Sequence, residues 1–282
     1  MANTRDIKRR ISSVISIQHI TKAMEMVAGA KLRRAQANVI AARPYTHQLA
    51  QVISRLQESG LEVTNPLLEQ KEGPPAYIVI AGDRGLCGAY NANVLRFAEE
   101  TIRENPGPVS VIGRKAREFM GKRGQEIIGE YHLRHEEPMY ADACSIMMPL
   151  FSNFSEEIFG SLHLIYTEFI TVLNHKPAVV QLLPVSGLGD FDESGSGPYL
   201  YEPSPQEVLE RLLPRYVNSL VYQGLLEAKA SELSAQRTAM KSATDNADDM
   251  IAQLTLTYNR ARQTAITQEI LEVVNGAQAL EG

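Results

Sequence analysis

Apolar residues near the start of the chain recur at Ile7, Ile11, Val14, Ile17, Ile20, Met24 and Val27. These steps of three or four predict one buried stripe on a long helix. Asn3 suits the N-cap and Asp6 the first turn, where a carboxylate opposes the helix dipole. Pro44 is expected to kink this helix, because it removes one backbone bond and crowds the preceding turn. Towards the other end, Ser204-Pro205-Gln206-Glu207 reads as an N-cap, a proline at the first helical position and a glutamate placed for a capping box. Beyond it, Leu233, Met240, Ala243, Ala247, Met250, Leu254, Ala261 and Leu271 lie near a heptad seam. Small residues on that seam let a partner helix approach closely.

Glycine and proline place the boundaries. Residues 60–204 hold 15 of the 19 Gly and 11 of the 14 Pro, whereas 1–59 contain only Gly29 and Pro44. From Arg215 to Asn275 there is no proline and only Gly224. The strongest helix breakers thus sit in the middle, so the chain divides into a helical segment 1–59, a globular segment 60–203 and a helical segment 204–282. The middle alternates: strands at 76–81 and 109–112, helices at 91–104 and 114–122, a strand at 125–132, a helix at 142–159, then strands at 162–173 and 178–184. Such βα alternation predicts a Rossmann-like α/β domain with a largely parallel sheet. Residues 186–198 read as a flexible acidic loop.

Length then sets the architecture. Residues 215–275 as a helix span roughly 90 Å, while a segment of about 145 residues has a radius of gyration near 15 Å. The middle cannot cover such a rod. The fold class expected is therefore α/β, with long N- and C-terminal helices paired as an antiparallel coiled coil and the α/β domain inserted between them. The exposed remainder calls for other subunits.

Charge sharpens this picture. Residues 1–40 carry eight Lys or Arg against Asp6 and Glu25, a local +6, so the overall −5 leaves −11 on the rest. A basic arm on an acidic body marks an interaction surface. Aromatic residues are missing from the arm, so base stacking on nucleic acid has no support. No apolar run approaches the ~18 residues of a membrane span, which excludes direct membrane insertion. The start has charge but no apolar h-region, so no secretory signal is expected. Cys87 and Cys144 stand alone, implying neither a disulfide framework nor a zinc site, and the chain is assigned to a reducing cytoplasm.

Catalytic patterns fail one by one. The turn at 82–88 (GDRGLCG) spaces its glycines GxxGxxG, whereas a dinucleotide fingerprint needs GxGxxG. Gly121-Lys122 is followed by Arg123, not by the Ser or Thr of a Walker loop. A tight structural turn is the better reading. His132, His135 and Glu136 have no further ligands clustered nearby. Asp245, Asn246, Asp248 and Asp249 lack a convergent site, and no nucleophile elbow or HExxH helix is present. No catalytic residue, cofactor or metal is assigned.

Three separated segments then resemble one family. Residues 20–28 (ITKAMEMVA), 83–91 (DRGLCGAYN), and 240–246 (MKSATDN) through 258–269 (YNRARQTAITQE) are similar, in order, to the gamma subunit of F-type ATP synthase. Two small departures are Gly82, where the family usually has a small hydroxyl residue, and the 186–198 loop. No long Cys-bearing insertion of the chloroplast type is present, which favours a bacterial type.

The resemblance implies a central-stalk rotor without catalytic activity of its own. Its partners would be the alpha and beta subunits, the epsilon subunit and the membrane c-ring, at the cytoplasmic face of the cell membrane as a peripheral subunit. By resemblance, Arg237, Gln263 and Glu269 match polar positions where the rotor meets the catalytic ring, and Met24 matches the position facing its acidic loops. Tyr199, Tyr201 and Glu202 match the foot near the c-ring. The uncharged run 274–280 suits turning in an apolar collar, since a charged tip would lose hydration. A coiled-coil adaptor without ATPase coupling, or a small nucleotide-binding enzyme with helical arms, explains the helices but not all three segments.

Overall fold

The computed structural model describes residues 4–58, 65–133, 135–186 and 201–281. Ten elements follow in order: α1 (Thr4–Glu58), β1 (Pro75–Ile80), α2 (Tyr90–Glu104), β2 (Val109–Ile112), α3 (Arg114–Lys122), β3 (Ile127–Tyr131), α4 (Tyr140–Ser155), β4 (Ser161–Phe169), β5 (His175–Leu183) and α5 (Pro205–Glu281). The chain forms two compact units, Gly29–Ala235 and a smaller one made of Met1–Ala28 with Gln236–Gly282. Asn3 and most of the 186–198 loop lie outside the described residues. Pro44 sits inside α1 without ending it.

The larger unit is built on one sheet in the order β3-β2-β1-β4-β5. Pairings β1–β2, β1–β4 and β2–β3 are parallel, and β4–β5 is antiparallel. Successive strand residues point to opposite faces, and β1 follows this rule. Tyr77 and Val79 bury against Val94, Ala98 and Ile102 of α2 and Ala116 and Met120 of α3. Ala76, Ile78 and Ile80 bury in the opposite core, which holds Met147 and Leu150 of α4, Ile53 and Leu56 of α1, and Leu213, Val217 and Val221 of α5. Both faces are covered, as a central parallel sheet requires.

The start of α5 matches its sequence signal. Ser204 Oγ accepts from the Glu207 N–H at 3.3 Å, and the Ser204 carbonyl accepts from the Val208 N–H at 3.1 Å. Glu207 lies in the first turn, where its charge opposes the dipole.

In the smaller unit α1 and α5 run antiparallel. Thr21 Oγ1 lies 2.8 Å from Thr244 Oγ1, and Gln18 donates to Asp248, so rising numbers on one helix meet falling numbers on the other. The covered positions of α1 include Ile7, Ile11, Val14, Gln18, Thr21, Glu25 and Ala28 in heptad alternation, with Thr4 and Met24 half-buried beside them. Those of α5 include Met240, Ala243, Thr244, Ala247, Ile251, Leu254, Tyr258 and Ala261. The apolar stripe expected from sequence therefore needs correction. Ile17, Ile20 and Val27 are exposed, Ile20 by 59%, and Met250 is exposed too. Helical geometry gives the reason. At roughly 100° per residue, Val27 lies about 220° round from Val14, whereas Thr21 lies only about 20° away. Position outweighs polarity here, and two threonines occupy the seam.

Candidate functional site

The turn after β1 sits where the strand order reverses between β1 and β4, the usual ligand crevice of such sheets. Its residues are tied inward. Asn91 Oδ1 accepts from the Gly82 N–H at 2.8 Å, and Asn91 Nδ2 donates to the Arg84 carbonyl at 3.1 Å. Asp83 Oδ1 accepts from the Arg114 N–H at 2.8 Å, capping α3, while the Arg114 guanidinium donates to the Asp83 carbonyl at 2.9 Å. Leu86 has a positive φ of 64° and an exposed side chain, and Cys87 beside it is buried.

A carboxylate occupies the crevice. A Cβ on Gly82 would come within 3.0 Å of Glu232 Oε1, which α5 brings to this turn. Burial first, and the Glu232 charge second, push the Cys87 thiol up, so it is held as a thiol. The same two causes raise the Tyr90 phenol. A nucleotide phosphate at this turn would meet the Glu232 carboxylate, itself paired with Lys229 at 2.9 Å, and find the Gly82 and Arg114 amides already engaged. We expect calorimetry on the purified chain to give no micromolar ATP binding. Micromolar binding lost on Asp83→Ala would reverse this reading of the turn.

The other sequence candidates are dispersed. Glu136 forms an ion pair with Lys31 of α1, whose hydrogen bond holds its carboxyl below the usual range. His132 and His135 are exposed. Among the described residues no three His, Cys, Asp or Glu side chains group as metal ligands. Met24 is half-buried at the edge of the seam, and Arg237, Gln263 and Glu269 are exposed on α5. Tyr201 packs against the core of the larger unit and Glu202 is exposed. Tyr199 lies outside the described residues. Of the six described, Gln263 lines an open groove on α5 with Arg260, Thr264, Thr267, Gln268 and Leu271, and Glu269 does not line it.

The far end of α5 corrects one seam position: Leu271, expected on the seam, is exposed. Thr21 opposite Thr244 places Thr4, the first described residue of α1, near Ala261. Among the residues of α5 up to 278, Ala261 is also the last half-buried one. All of 262–278 is exposed, including Ile266, Ile270, Val273 and Val274, with Val273 at 72%. Their spacing puts them along one apolar stripe. Rod length in the sequence already called for such an uncovered remainder, whereas the seam pattern ran past its end.

The sequence pattern of the family described as ATP synthase matches residues 3–280. An ATP synthase gamma chain from Pelotomaculum thermopropionicum is 46% identical over 284 residues, covering 100% of both chains.

The chain belongs to the ATP synthase gamma-chain family.

A second member, the ATP synthase gamma chain of Moorella thermoacetica, is 47% identical over 284 residues, again covering 100% of both. Among solved structures, a chain of the Euglena gracilis mitochondrial ATP synthase rotor in rotational state 1 aligns with a TM-score of 0.66 at 19% identity, covering 93% of this chain and 98% of that one. A chain of the same organism's OSCP/F1/c-ring assembly in rotational state 3 aligns with a TM-score of 0.69 at 20% identity, covering 98% and 94%. The family therefore rests on the sequence relatives. The solved structures share the fold: long terminal helices around an inserted α/β domain.

Proposed function

We propose that this chain is the central-stalk rotor subunit of an F-type ATP synthase. It couples ion-driven turning of a membrane c-ring to ATP synthesis in a surrounding ring of alpha and beta subunits, and the same coupling runs backwards in hydrolysis. Within this family, the observation that carries the reading is the end of α5. An apolar stripe over 262–278 has no partner among the described residues, and an apolar helix face left in water calls for a sleeve supplied by other chains.

The subunit is non-catalytic in this reading. The turn that most resembles a phosphate loop holds Glu232 instead. Coupling arises from asymmetry. One rotor meets several chemically identical catalytic subunits, and each orientation contacts them differently. Only such differential contact shifts their nucleotide affinities. Met24, Arg237, Gln263 and Glu269 are assigned to contacts with the ring. Tyr199, Tyr201 and Glu202 are assigned to the foot, towards epsilon and the c-ring. The chain is placed peripherally on the cytoplasmic face of the membrane. No described helix is long and apolar enough to cross one.

Reconstitution tests this. Complexes assembled from alpha, beta, epsilon and membrane subunits should pump ions on ATP addition with this chain present and not without it. An equal ATP-driven ion gradient in its absence would sink the rotor assignment and favour an adaptor.

A further inference from the structure

Glu227, on α5, is only 2% exposed, and a carboxylate so far from water needs several donors. It has them from three elements of the larger unit. Arg43 of α1 donates from Nε and Nη2 to Oε1 at 3.3 and 3.1 Å. Gln223, one turn earlier on α5, donates to the same oxygen at 3.0 Å. The backbone N–H of Phe169, the last residue of β4, donates to Oε2 at 3.3 Å. Arg43 Nη2 also donates to the Phe169 carbonyl at 2.8 Å, which closes a ring of contacts through α1, β4 and α5. Among the described ion pairs this carboxylate is the most deeply buried.

Stability alone is a poor reason for such a pair, because well-packed apolar residues often hold a fold equally well. Direction is what the pair adds. Apolar burial is non-directional, so the surrounding side chains of Leu226, Ala230 and Val39 can slide with little loss. A planar guanidinium bridging a carboxylate and a carbonyl tolerates no such sliding.

We infer that Arg43, Glu227 and the end of β4 form a torque-bearing joint, which keeps α1 and α5 from slipping against the sheet when the subunit is twisted. This rests on the rotor function proposed above. Arg43 and Glu227 are positioning residues in that sense, acting through the elements they join.

The test uses the reconstituted membrane complex with Arg43→Lys and, separately, Glu227→Gln. Lysine keeps the charge and has three rotatable donors, but it lacks the planar fork that fixes the direction of the contact. Both variants should assemble and hydrolyse ATP within about twofold of the parent in the absence of a gradient. Against an established ion gradient, ions moved per ATP should fall about threefold or more. The Phe169 amide should exchange with deuterium about tenfold faster. Faster exchange with unchanged coupling would mean the joint carries no load. Loss of coupling only in proportion to loss of assembly would make it a folding brace. In either case the inference falls while the parent still pumps. A parent complex that hydrolyses ATP without pumping removes the rotor function and this joint together.

Discussion

Gly113→Ala is expected to unfold the α/β domain at a far lower temperature than the parent. Gly113 ends β2 with φ +91°, a conformation that side-chain-bearing residues rarely adopt, and an added Cβ would lie 2.1 Å from the Ala81 carbonyl oxygen. Both partners are backbone, so neither can rotate away. The residue also accepts one donor and gives another, since its N–H bonds the Tyr131 carbonyl at 3.2 Å and its carbonyl receives the Arg117 N–H at 3.2 Å. Strain and overpacking together cost about 3 kcal/mol or more. For a unit of this size that lowers Tm by roughly 6–12 °C. Gly121→Ala is the control: it lies inside α3 with nothing within 4 Å of the new Cβ, so its effect should stay within about 1 kcal/mol. Melting followed by circular dichroism checks both. Equal melting of the two variants would show that the β2–α3 turn relaxes in a way the present geometry does not allow.

Arg237→Ala and Gln263→Ala should act on turnover and leave folding alone. The two residues stand 26 positions apart, roughly 39 Å along a helix, so under the proposed assignment each would meet the ring at its own level. Both side chains are exposed, and neither is a seam position. Removing them therefore opens no cavity in the chain. Under the proposed assignment, what is lost in the complex is a polar contact, worth about 0.5–1.5 kcal/mol when neutral and about 1.5–3 when charged. If the contact forms only in some orientations, that loss falls on the rotary cycle. Arg237→Ala should slow steady-state ATP turnover by about tenfold and Gln263→Ala by about threefold. Both should assemble normally and melt within a few degrees of the parent. Cutting the chain after Asn275 should do less, because it removes mainly small and apolar residues, with Gln278 and Glu281 the exceptions. Full turnover in both alanine variants would remove the ring-contact assignment.

The fold was largely legible in the residues. Val109–Ile112 and Arg114–Lys122 fall where alternation and glycine punctuation place them, because short elements between breakers leave few other solutions. The Ser204 cap did as well, since it is a local device requiring only neighbours in sequence. The seam was harder. Counting apolar steps followed Ile17 and Ile20 out to solvent, because a helix surface records angle, and polarity tracks angle only when the core is purely apolar. Thr21 and Thr244 each bond their own helix, to the Gln18 and Met240 carbonyls, so a hydroxyl fits the seam without a dedicated partner. Neither that layer nor the Arg43–Glu227 joint carries a local signature. Their partners are separated by 223 and 184 residues, and only the folded chain brings them together.

The overhang of α5 divides the pressures on this gene. A substitution between 262 and 278 alters no packed position of the chain's own core, so a screen for folding of the isolated subunit scores that stretch as neutral. Any intolerance found there in the living cell is then a record of other chains' requirements. Co-variation at these positions should accordingly track the genes of the enclosing subunits, whereas at Gly113 or Glu227 it should track this gene alone.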